Sequence, residues 1–168
     1  MQPSRLLLIR HAQAATGPVD ADRPLTEQGA RHAAAIGGWL TGAGLAPDRV
    51  LVSSARRAVQ TWEQAGEALA EGPQPIVEPR IYDNTVEALL EVLRETPEDV
   101  RTLVLVGHNP SVGTLAGILD DGEGSGAARD ALDAGFPTGA VAVFGLGTPF
   151  DGIGPGTATL RDLTVPGG

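Results

Sequence analysis

The stretch Arg5-Leu6-Leu7-Leu8-Ile9-Arg10-His11 decides the fold, because a short and continuously apolar run leads directly into two polar side chains. Such runs are typical of strands that are covered on both faces, as in a parallel sheet. Residues 50–52 and 102–106 have the same character. The carboxyl ends of parallel strands meet at one edge of a sheet, where open α/β sheets bind ligands. We therefore expect the polar residues after these runs to meet there.

The segments between the apolar runs have helical patterns. Thr26 is a plausible N-cap for a helix over residues 27–42, whose inward face would carry Ala33, Ile36, Gly37 and Leu40. Three further helices are predicted: one begins near Ala55 and carries Val59, Trp62 and Leu69, one spans residues 85–94, and one begins near Pro110.

Two later apolar runs complete the predicted sheet, over residues 140–146 and 158–165. The second alternates apolar and polar residues, which indicates an edge strand with one wet face. The order of elements predicts a three-layer α/β/α sandwich with a mainly parallel sheet and right-handed crossovers. Residues 120–126 are acidic and rich in glycine, which predicts a mobile loop.

Composition narrows the classes of function. The chain has 168 residues and 42% hydrophobic residues, which suits a single domain over residues 1–168. Its net charge of −9 argues against a nucleic-acid partner. All 12 cationic residues are Arg, so a Walker-type phosphate loop, which needs Lys, is excluded. There is no Cys, and the apolar run at 6–9 is too short for a membrane span. We expect a cytoplasmic protein without membrane contact.

The polar residues at the strand ends suit phosphoryl transfer. Arg10-His11, Ser53-Ser54-Ala55-Arg56-Arg57 and Gly107-His108-Asn109-Pro110 each follow a predicted strand. A neutral imidazole can attack phosphorus and form a covalent intermediate. The planar guanidinium of Arg grips phosphate oxygens in pairs, and helix starts add backbone N–H donors. This scheme requires no metal and no cofactor.

Four motifs in order resemble those of the histidine phosphatase superfamily, which includes the cofactor-dependent phosphoglycerate mutases. Leu8-Ile9-Arg10-His11-Ala12 resembles its Arg-His-Gly signature, with Ala12 in place of the usual Gly. The other three matches are Arg23-Pro24-Leu25-Thr26-x-x-Gly29, Val52-Ser53-x-x-x-Arg57-Ala58-x-Gln60-Thr61 and Val106-Gly107-His108-Asn109-Pro110. The resemblance runs from Arg5 to about Leu119.

The resemblance implies roles for individual residues. His11 would be the nucleophile, and Arg10, Arg57 and His108 would clamp the phosphoryl group. Asn109 would join them in the substrate site. The spacing from Ser53 favours Arg57 over Arg56.

The proton donor stays open at this point. The best match to the family's acid is Asp83, and Glu87, one helical turn further on, is its competitor.

The short chain leaves little room for the large capping insertion that mutases carry between residues 73 and 102. A phosphoglycerate mutase-like fold without that insertion resembles the SixA-type branch, whose members remove phosphate from histidine on phosphotransfer domains. The partner implied is a phosphorylated protein histidine. Two alternatives stay open: a phosphatase of small metabolites such as sugar or nucleotide phosphates, and a non-catalytic phosphate-binding module. The sequence favours a mutase less than these phosphatases, because it has little room for the capping insertion.

Overall fold

The computed structural model describes residues 4–168, which form one six-stranded sheet with helices on both faces. The strands lie in the order β3-β2-β4-β1-β5-β6. Their bounds are β1 Arg5–Arg10, β2 Arg49–Val52, β3 Ile76–Val77, β4 Thr102–Gly107, β5 Val141–Leu146 and β6 Ala158–Thr164. The helices are α1 Glu27–Gly42, α2 Arg56–Gly66, α3 Pro79–Tyr82, α4 Val86–Arg94, α5 Ser111–Leu119 and α6 Gly126–Ala134.

The sheet is mainly parallel, as predicted. β1, β2, β3 and β4 run in one direction, whereas β5 and β6 are antiparallel to their neighbours. β6 is an edge strand, and the residues in its C-terminal half are partly exposed. Among residues 4–168, no helix is long and apolar enough to cross a membrane.

Alternate side chains of the central strands build two separate cores. Leu7 and Ile9 of β1 pack with the inward residues of α1 and α2, among them Ile36, Leu40 and Trp62. Leu6 and Leu8 point to the other face and join a cluster with α4, α5 and α6. This alternation is the geometry that a strand buried on both faces requires. The predicted three-layer α/β/α sandwich is confirmed.

Helix α1 begins where the sequence predicts. The Oγ1 of Thr26 accepts a hydrogen bond from the backbone N of Gly29 at 2.9 Å, which satisfies one of the free N–H groups at the helix start. A Cβ on Gly29 would collide with the backbone carbonyl of Gln13. Only glycine therefore lets α1 lie this close to the segment that follows His11.

Several predicted boundaries were wrong. Helix α2 ends at Gly66, so Leu69 lies outside it, although this side chain still packs partly against the core of α1 and α2. The short elements β3 and α3 and the helix α6 were not predicted. α6 was not predicted because Leu132 is the only large apolar residue in its sequence, GAARDALDA, and Ala128 is its only buried residue. Residues 73–102 form β3, α3 and α4, and α4 belongs to the core, so no large insertion caps the site.

The segment 120–126 lies at the opposite edge of the sheet from the strand ends where ligands were expected. Asp120 bridges to Ala158, the first residue of β6, and its carboxylate binds Arg129 at 2.9 Å. The backbone N of Ser125 donates to the carbonyl of Leu160. The predicted mobile loop is therefore held by hydrogen bonds, and its position does not allow it to close over the strand ends.

Candidate active site

Two histidine side chains meet at the carboxyl edge of the sheet. His11 follows β1 and His108 follows β4, and these parallel strands are in register at Arg10 and Gly107. The ring centroids lie 5.2 Å apart at an angle of 56°. Only 8% of His11 and 4% of His108 is exposed. The register of the two central strands thus brings together the histidines that the sequence pattern singled out.

His11 is held as a neutral imidazole with one free nitrogen. Its Nδ1 lies 2.7 Å from the carbonyl oxygen of Ala12, and because a carbonyl can only accept, Nδ1 carries the proton. Nε2 therefore has the lone pair. Burial first, and then the cations Arg57 and Arg10, lower the pKa of His11 to about 4, against the raising effect of the hydrogen bond to Ala12. At neutral pH this nitrogen is unprotonated and available for attack.

Thr61 connects the residue after His11 to helix α2. The backbone N of Ala12 donates to the Oγ1 of Thr61 at 3.0 Å, and this hydroxyl donates to the carbonyl of Arg57 at 2.7 Å. Thr61 is fully buried. The backbone beside His11 is therefore tied to the helix that carries Arg57.

His108 is oriented by a serine from the end of β2. Its Nε2 lies 2.7 Å from the Oγ of Ser53, which also accepts the backbone N–H of Ala55 at 3.2 Å. Its Nδ1 is buried and has no hydrogen-bond partner among residues 4–168. Burial, and then the neighbouring His11 and Arg57, lower the pKa of His108 to about 3. A buried polar atom without a partner calls for a ligand atom or water.

Arg10 points from the end of β1 towards the segment that leads into β5. Its Nη1 donates to the carbonyl of Phe136 at 3.1 Å, while its Nε is buried without a partner among the described residues. Because β5 starts opposite Ile9, residues 136–140 lie at the same edge as the histidines. Arg10 thus has N–H groups left for an anion.

Arg57 is the inward one of two adjacent arginines, as the sequence spacing predicted. Only 7% of Arg57 is exposed, whereas Arg56 is exposed to solvent. Nη1 of Arg57 donates to the backbone carbonyl of Asp20 at 2.8 Å and Nη2 donates to Oδ2 of the same residue at 3.1 Å.

Asp20, Arg23 and Tyr82 complete the site, although no sequence motif pointed to Asp20 or Tyr82 as site residues. The hydroxyl of Tyr82 donates to Oδ2 of Asp20 at 2.6 Å, and its ring meets His108 edge-on with centroids 5.8 Å apart. Nη1 of Arg23 donates to Oδ1 of Asp20 at 3.0 Å. The only sequence signal was the position of Asp20 three residues before Arg23, at the start of the second motif.

The two carboxylates predicted as proton donors stand apart from these hydrogen bonds. Asp83 is exposed at the C-terminal end of α3, and Glu87 is exposed in the first turn of α4. Within residues 4–168, neither side chain makes a hydrogen bond. Their role as proton donors stays a prediction.

The side chain of Asn109 stabilises the loop after β4 through hydrogen bonds. Its Nδ2 donates to the carbonyl of Phe136 at 2.9 Å, and its Oδ1 accepts the backbone N–H of Gly113 at 3.1 Å. Asn84, which adopts a positive φ of 60°, donates to the carbonyl of Asn109 at 2.8 Å. The predicted contact of Asn109 with substrate stays a prediction, and the structure adds a role in holding the loop.

A groove of about 520 Å³ leads away from the site. Arg10 and Asn109 line it together with small and apolar residues from α6, the segment before β5, and the end of β6: Ala131, Ala134, Gly135, Phe136, Pro137, Leu163 and Val165. In the described part of the chain, no three His, Asp or Glu side chains come together as a metal site would need.

Sequence comparisons identify the class of protein that this fold and this site define. The model of the histidine phosphatase superfamily (branch 1) matches residues 6–87. An uncharacterized protein of Mycobacterium tuberculosis is 35% identical over 94% of this chain and 99% of its own length. The phosphohistidine phosphatase SixA of Escherichia coli is 34% identical over 71% of this chain and 76% of its own length. The chain therefore belongs to the histidine phosphatase superfamily.

Solved structures narrow the relationship to SixA. The SixA structure from Nakamurella multipartitia is 30% identical, with a TM-score of 0.86 over 98% of this chain and 96% of that one. The protein histidine phosphatase SixA complexed with tungstate is 28% identical, with a TM-score of 0.77 over 96% of this chain and 97% of that one. Phosphoglycerate mutase from Plasmodium falciparum, at 14% identity and a TM-score of 0.66, shares the fold. The predicted superfamily, the resemblance to the SixA branch and the mutase-like fold are confirmed.

Proposed function

We propose that this protein is a protein phosphohistidine phosphatase in which His11 is the nucleophile. The observation that carries the proposal is the state of His11: a buried, neutral imidazole whose Nδ1 proton is fixed on a carbonyl, so that Nε2 has a free lone pair. Arg10 and Arg57 surround it with cationic N–H donors. This is the arrangement that nucleophilic catalysis at phosphorus requires.

The proposed reaction has two transfers. Nε2 of His11 attacks the phosphorus of the substrate, the bond from phosphorus to the substrate nitrogen breaks, and the electron pair of that bond returns to the substrate imidazole. Water then attacks the phosphorus of the phosphorylated His11, which releases inorganic phosphate and restores the free imidazole. Arg10, Arg57 and the Nδ1 of His108 are proposed to bind the three equatorial oxygens, where the charge is spread.

A phosphorylated histidine suits the surroundings of the site. Its ring nitrogen can take a proton before the bond breaks, so the imidazole leaves as a neutral group without an acid from the enzyme. That agrees with the absence of any hydrogen bond from Asp83 or Glu87 in the described residues. The E. coli relative is named a phosphohistidine phosphatase, and tungstate, with which a SixA structure was solved, is a tetrahedral oxyanion like phosphate.

The groove next to Arg10 supports a protein as the substrate. Its small and apolar lining offers a surface on which a helix carrying the phosphorylated histidine can lie, with the phosphoryl group directed at Arg10. No insertion between residues 73 and 102 stands over the strand ends. We propose a phosphotransfer domain as the partner.

A phosphatase of small phosphomonoesters is the second candidate. The observation in its favour is that Asp83 is exposed directly after Tyr82, whose ring contacts His108. An alkoxide leaving group needs a proton donor, and this carboxylate could move towards the site. If Asp83→Asn and Glu87→Gln each leave the turnover of esters intact, neither carboxylate is the acid.

Further expectations from the sequence stay proposals here: a single domain over residues 1–168, a cytoplasmic location, and activity without metal or cofactor. We also propose that the protein has no nucleic-acid partner, because a net charge of −9 repels a phosphate backbone.

The deciding experiment is phosphate release from p-nitrophenyl phosphate and from a histidine-phosphorylated phosphotransfer domain, each with and without a metal chelator. We expect activity that resists the chelator, prefers the phosphorylated protein, and vanishes in His11→Ala. His32→Ala, a substitution of the same type in the middle of α1, should keep full activity. Activity that survives in His11→Ala would refute the nucleophile, and a preference for the ester would favour the second candidate.

A further inference from the structure

Asp20 is the centre of a cluster that the motifs did not reveal. It begins a single 3-10 turn, Asp20–Asp22, between β1 and α1, and its side chain is 51% exposed. Its carboxylate accepts hydrogen bonds from three side chains: Arg23 on Oδ1, and Arg57 and Tyr82 on Oδ2. We call these four residues the Asp20 cluster.

The contacts of Asp20 with Arg57 fix the plane of the guanidinium. Nη1 binds the backbone carbonyl of Asp20 and Nη2 binds its carboxylate, so one residue holds both terminal nitrogens. An arginine side chain is flexible, and holding it in one geometry costs conformational entropy. The two contacts use two of its five N–H groups, which leaves three for an anion. An Arg57 held in this way is oriented before substrate arrives.

The carboxylate of Asp20 also holds the side chain that packs against His108. Tyr82 donates to the Oδ2 that receives Arg57, and its ring lies edge-on to the imidazole of His108. The hydrogen bond from Tyr82, and then that from Arg23, hold the pKa of Asp20 far below its usual value. Asp20 is therefore an anion at neutral pH and does not serve as a proton donor.

We propose that Asp20 is a positioning residue, which orients Arg57 towards the transferring phosphoryl group without touching the substrate. The inference rests on the proposed function, since it assigns Arg57 to the phosphoryl oxygens. A carboxylate close to a phosphate lowers the affinity of the site for anions, so its benefit must lie in orientation. Precise orientation stabilises the transition state more than the bound ground state. The effect of Asp20 should therefore fall on kcat rather than on KM.

The test compares Asp20→Asn with Asp22→Asn, which makes the same change of charge in the same turn. The Asp22 side chain makes no hydrogen bond among residues 4–168, so its variant should keep kcat within about twofold. We expect Asp20→Asn to lower kcat by about tenfold, the scale of one weakened charge-assisted hydrogen bond, with KM unchanged or lower. Equal kcat values for the two variants would overturn the inference.

A double-variant cycle shows whether Asp20 acts through Arg57. In the background of Arg57→Ala, Asp20→Asn should cause little further loss, because its target is gone. A full tenfold loss in that background would mean that Asp20 acts by another route and would overturn the proposal. Tyr82→Phe removes one hydrogen bond to Asp20 and keeps the contact of Asp20 with Arg57. It should lower kcat a few-fold when Arg57 is present and should have little further effect in the Arg57→Ala background.

Two controls keep the outcomes distinct. Thermal unfolding checks that each variant is folded, and binding of orthovanadate, followed by calorimetry, checks that the anion site is intact. If Asp20→Asn is unfolded at the assay temperature, the Tyr82→Phe cycle decides the question. Failure of the proposed function would appear instead as activity that survives in His11→Ala, whatever the result for Asp20.

Discussion

The Oγ of Ser53 lies 2.7 Å from Nε2 of His108, and both side chains are buried. Because the same oxygen accepts the N–H of Ala55, its own proton is free to be donated to Nε2. Nδ1 of His108 would then carry the imidazole proton and present it, without a protein partner, to a phosphoryl oxygen. When Ser53 donates to Nε2 in this way, His108 takes the form that can act as a neutral donor.

Replacing Ser53 should therefore impair catalysis more than stability. Without the hydroxyl, His108 can put its proton on either nitrogen and can rotate. We expect Ser53→Ala to lower kcat by about tenfold to a hundredfold, less than the roughly hundredfold to thousandfold cost of removing an oriented donor itself. Steady-state kinetics measures this, with Ser54→Ala as the control, since Ser54 is exposed. Equal activity of the two variants would contradict the role of Ser53.

The two buried histidines should make the fold sensitive to acid. His11 has a pKa of about 4 when folded and an ordinary value of 6.5 when unfolded, so the unfolded chain binds more protons between these values. Stability is therefore fully present above about pH 6.5 and falls as the pH drops towards 4. The pKa difference of His11 corresponds to about 3 kcal/mol.

Urea unfolding between pH 4 and pH 7 measures this dependence. His108→Gln, which removes one of the two buried histidines with a lowered pKa, should flatten it. His32→Gln, in the middle of α1, should leave it unchanged. The same slope in His108→Gln as in wild type would mean that other groups govern the acid sensitivity.

Two glycines of α1 should respond in opposite ways to alanine. A Cβ on Gly29 would strike the backbone of Gln13, which cannot move aside as a flexible side chain can. We expect Gly29→Ala to destabilise the protein by about 1–3 kcal/mol. A Cβ on Gly38 meets nothing within 4 Å, so Gly38→Ala should stabilise the helix by roughly 0.5–1 kcal/mol. Chemical denaturation distinguishes these outcomes, and two changes of the same sign would contradict the prediction.

The groove beside Arg10 should matter for a protein substrate and not for a small ester. Ala134 is exposed at the end of α6 and lines this groove. Ala134→Glu places a bulky charge there, so we expect kcat/KM for a phosphorylated phosphotransfer domain to fall by about tenfold. Turnover of p-nitrophenyl phosphate should be unchanged. Ala34→Glu, on an exposed position of α1, is the control and should affect neither substrate. Equal loss on both substrates would show that Ala134→Glu disturbs the site itself.

The sequence predicted those elements whose bounds depend on residues close to one another in the chain. The bounds of α1 came from an N-cap at Thr26 and apolar residues at helical spacing, and both operate within a few residues. The central strands were visible because they are buried on both faces and so are apolar throughout. Helix α6 lacks such a pattern, because it covers a partly exposed flank of the sheet.

The same distinction separates the site residues that the sequence predicted from those that it did not. His11 and His108 stand directly after central strands, so a parallel sheet predicts that they meet. Asp20 begins a single 3-10 turn and Tyr82, 62 positions further on, ends the short helix α3, and no periodicity links them. Their contact depends on the path of two loops, which a single sequence does not encode in any short pattern.

The central position of β1 has a consequence for how the protein is made. Its partners on either side are β4, Thr102–Gly107, and β5, Val141–Leu146. A ribosome therefore releases the strand that leads to His11 long before either neighbour exists, and such distant pairings form slowly. Until residue 119 has emerged, the helices that cover one face of the apolar run 6–9 are incomplete, and until residue 146 has emerged β1 lacks its strand partner on one edge. A nascent chain stalled at about residue 100 should bind chaperones and should hold no phosphate.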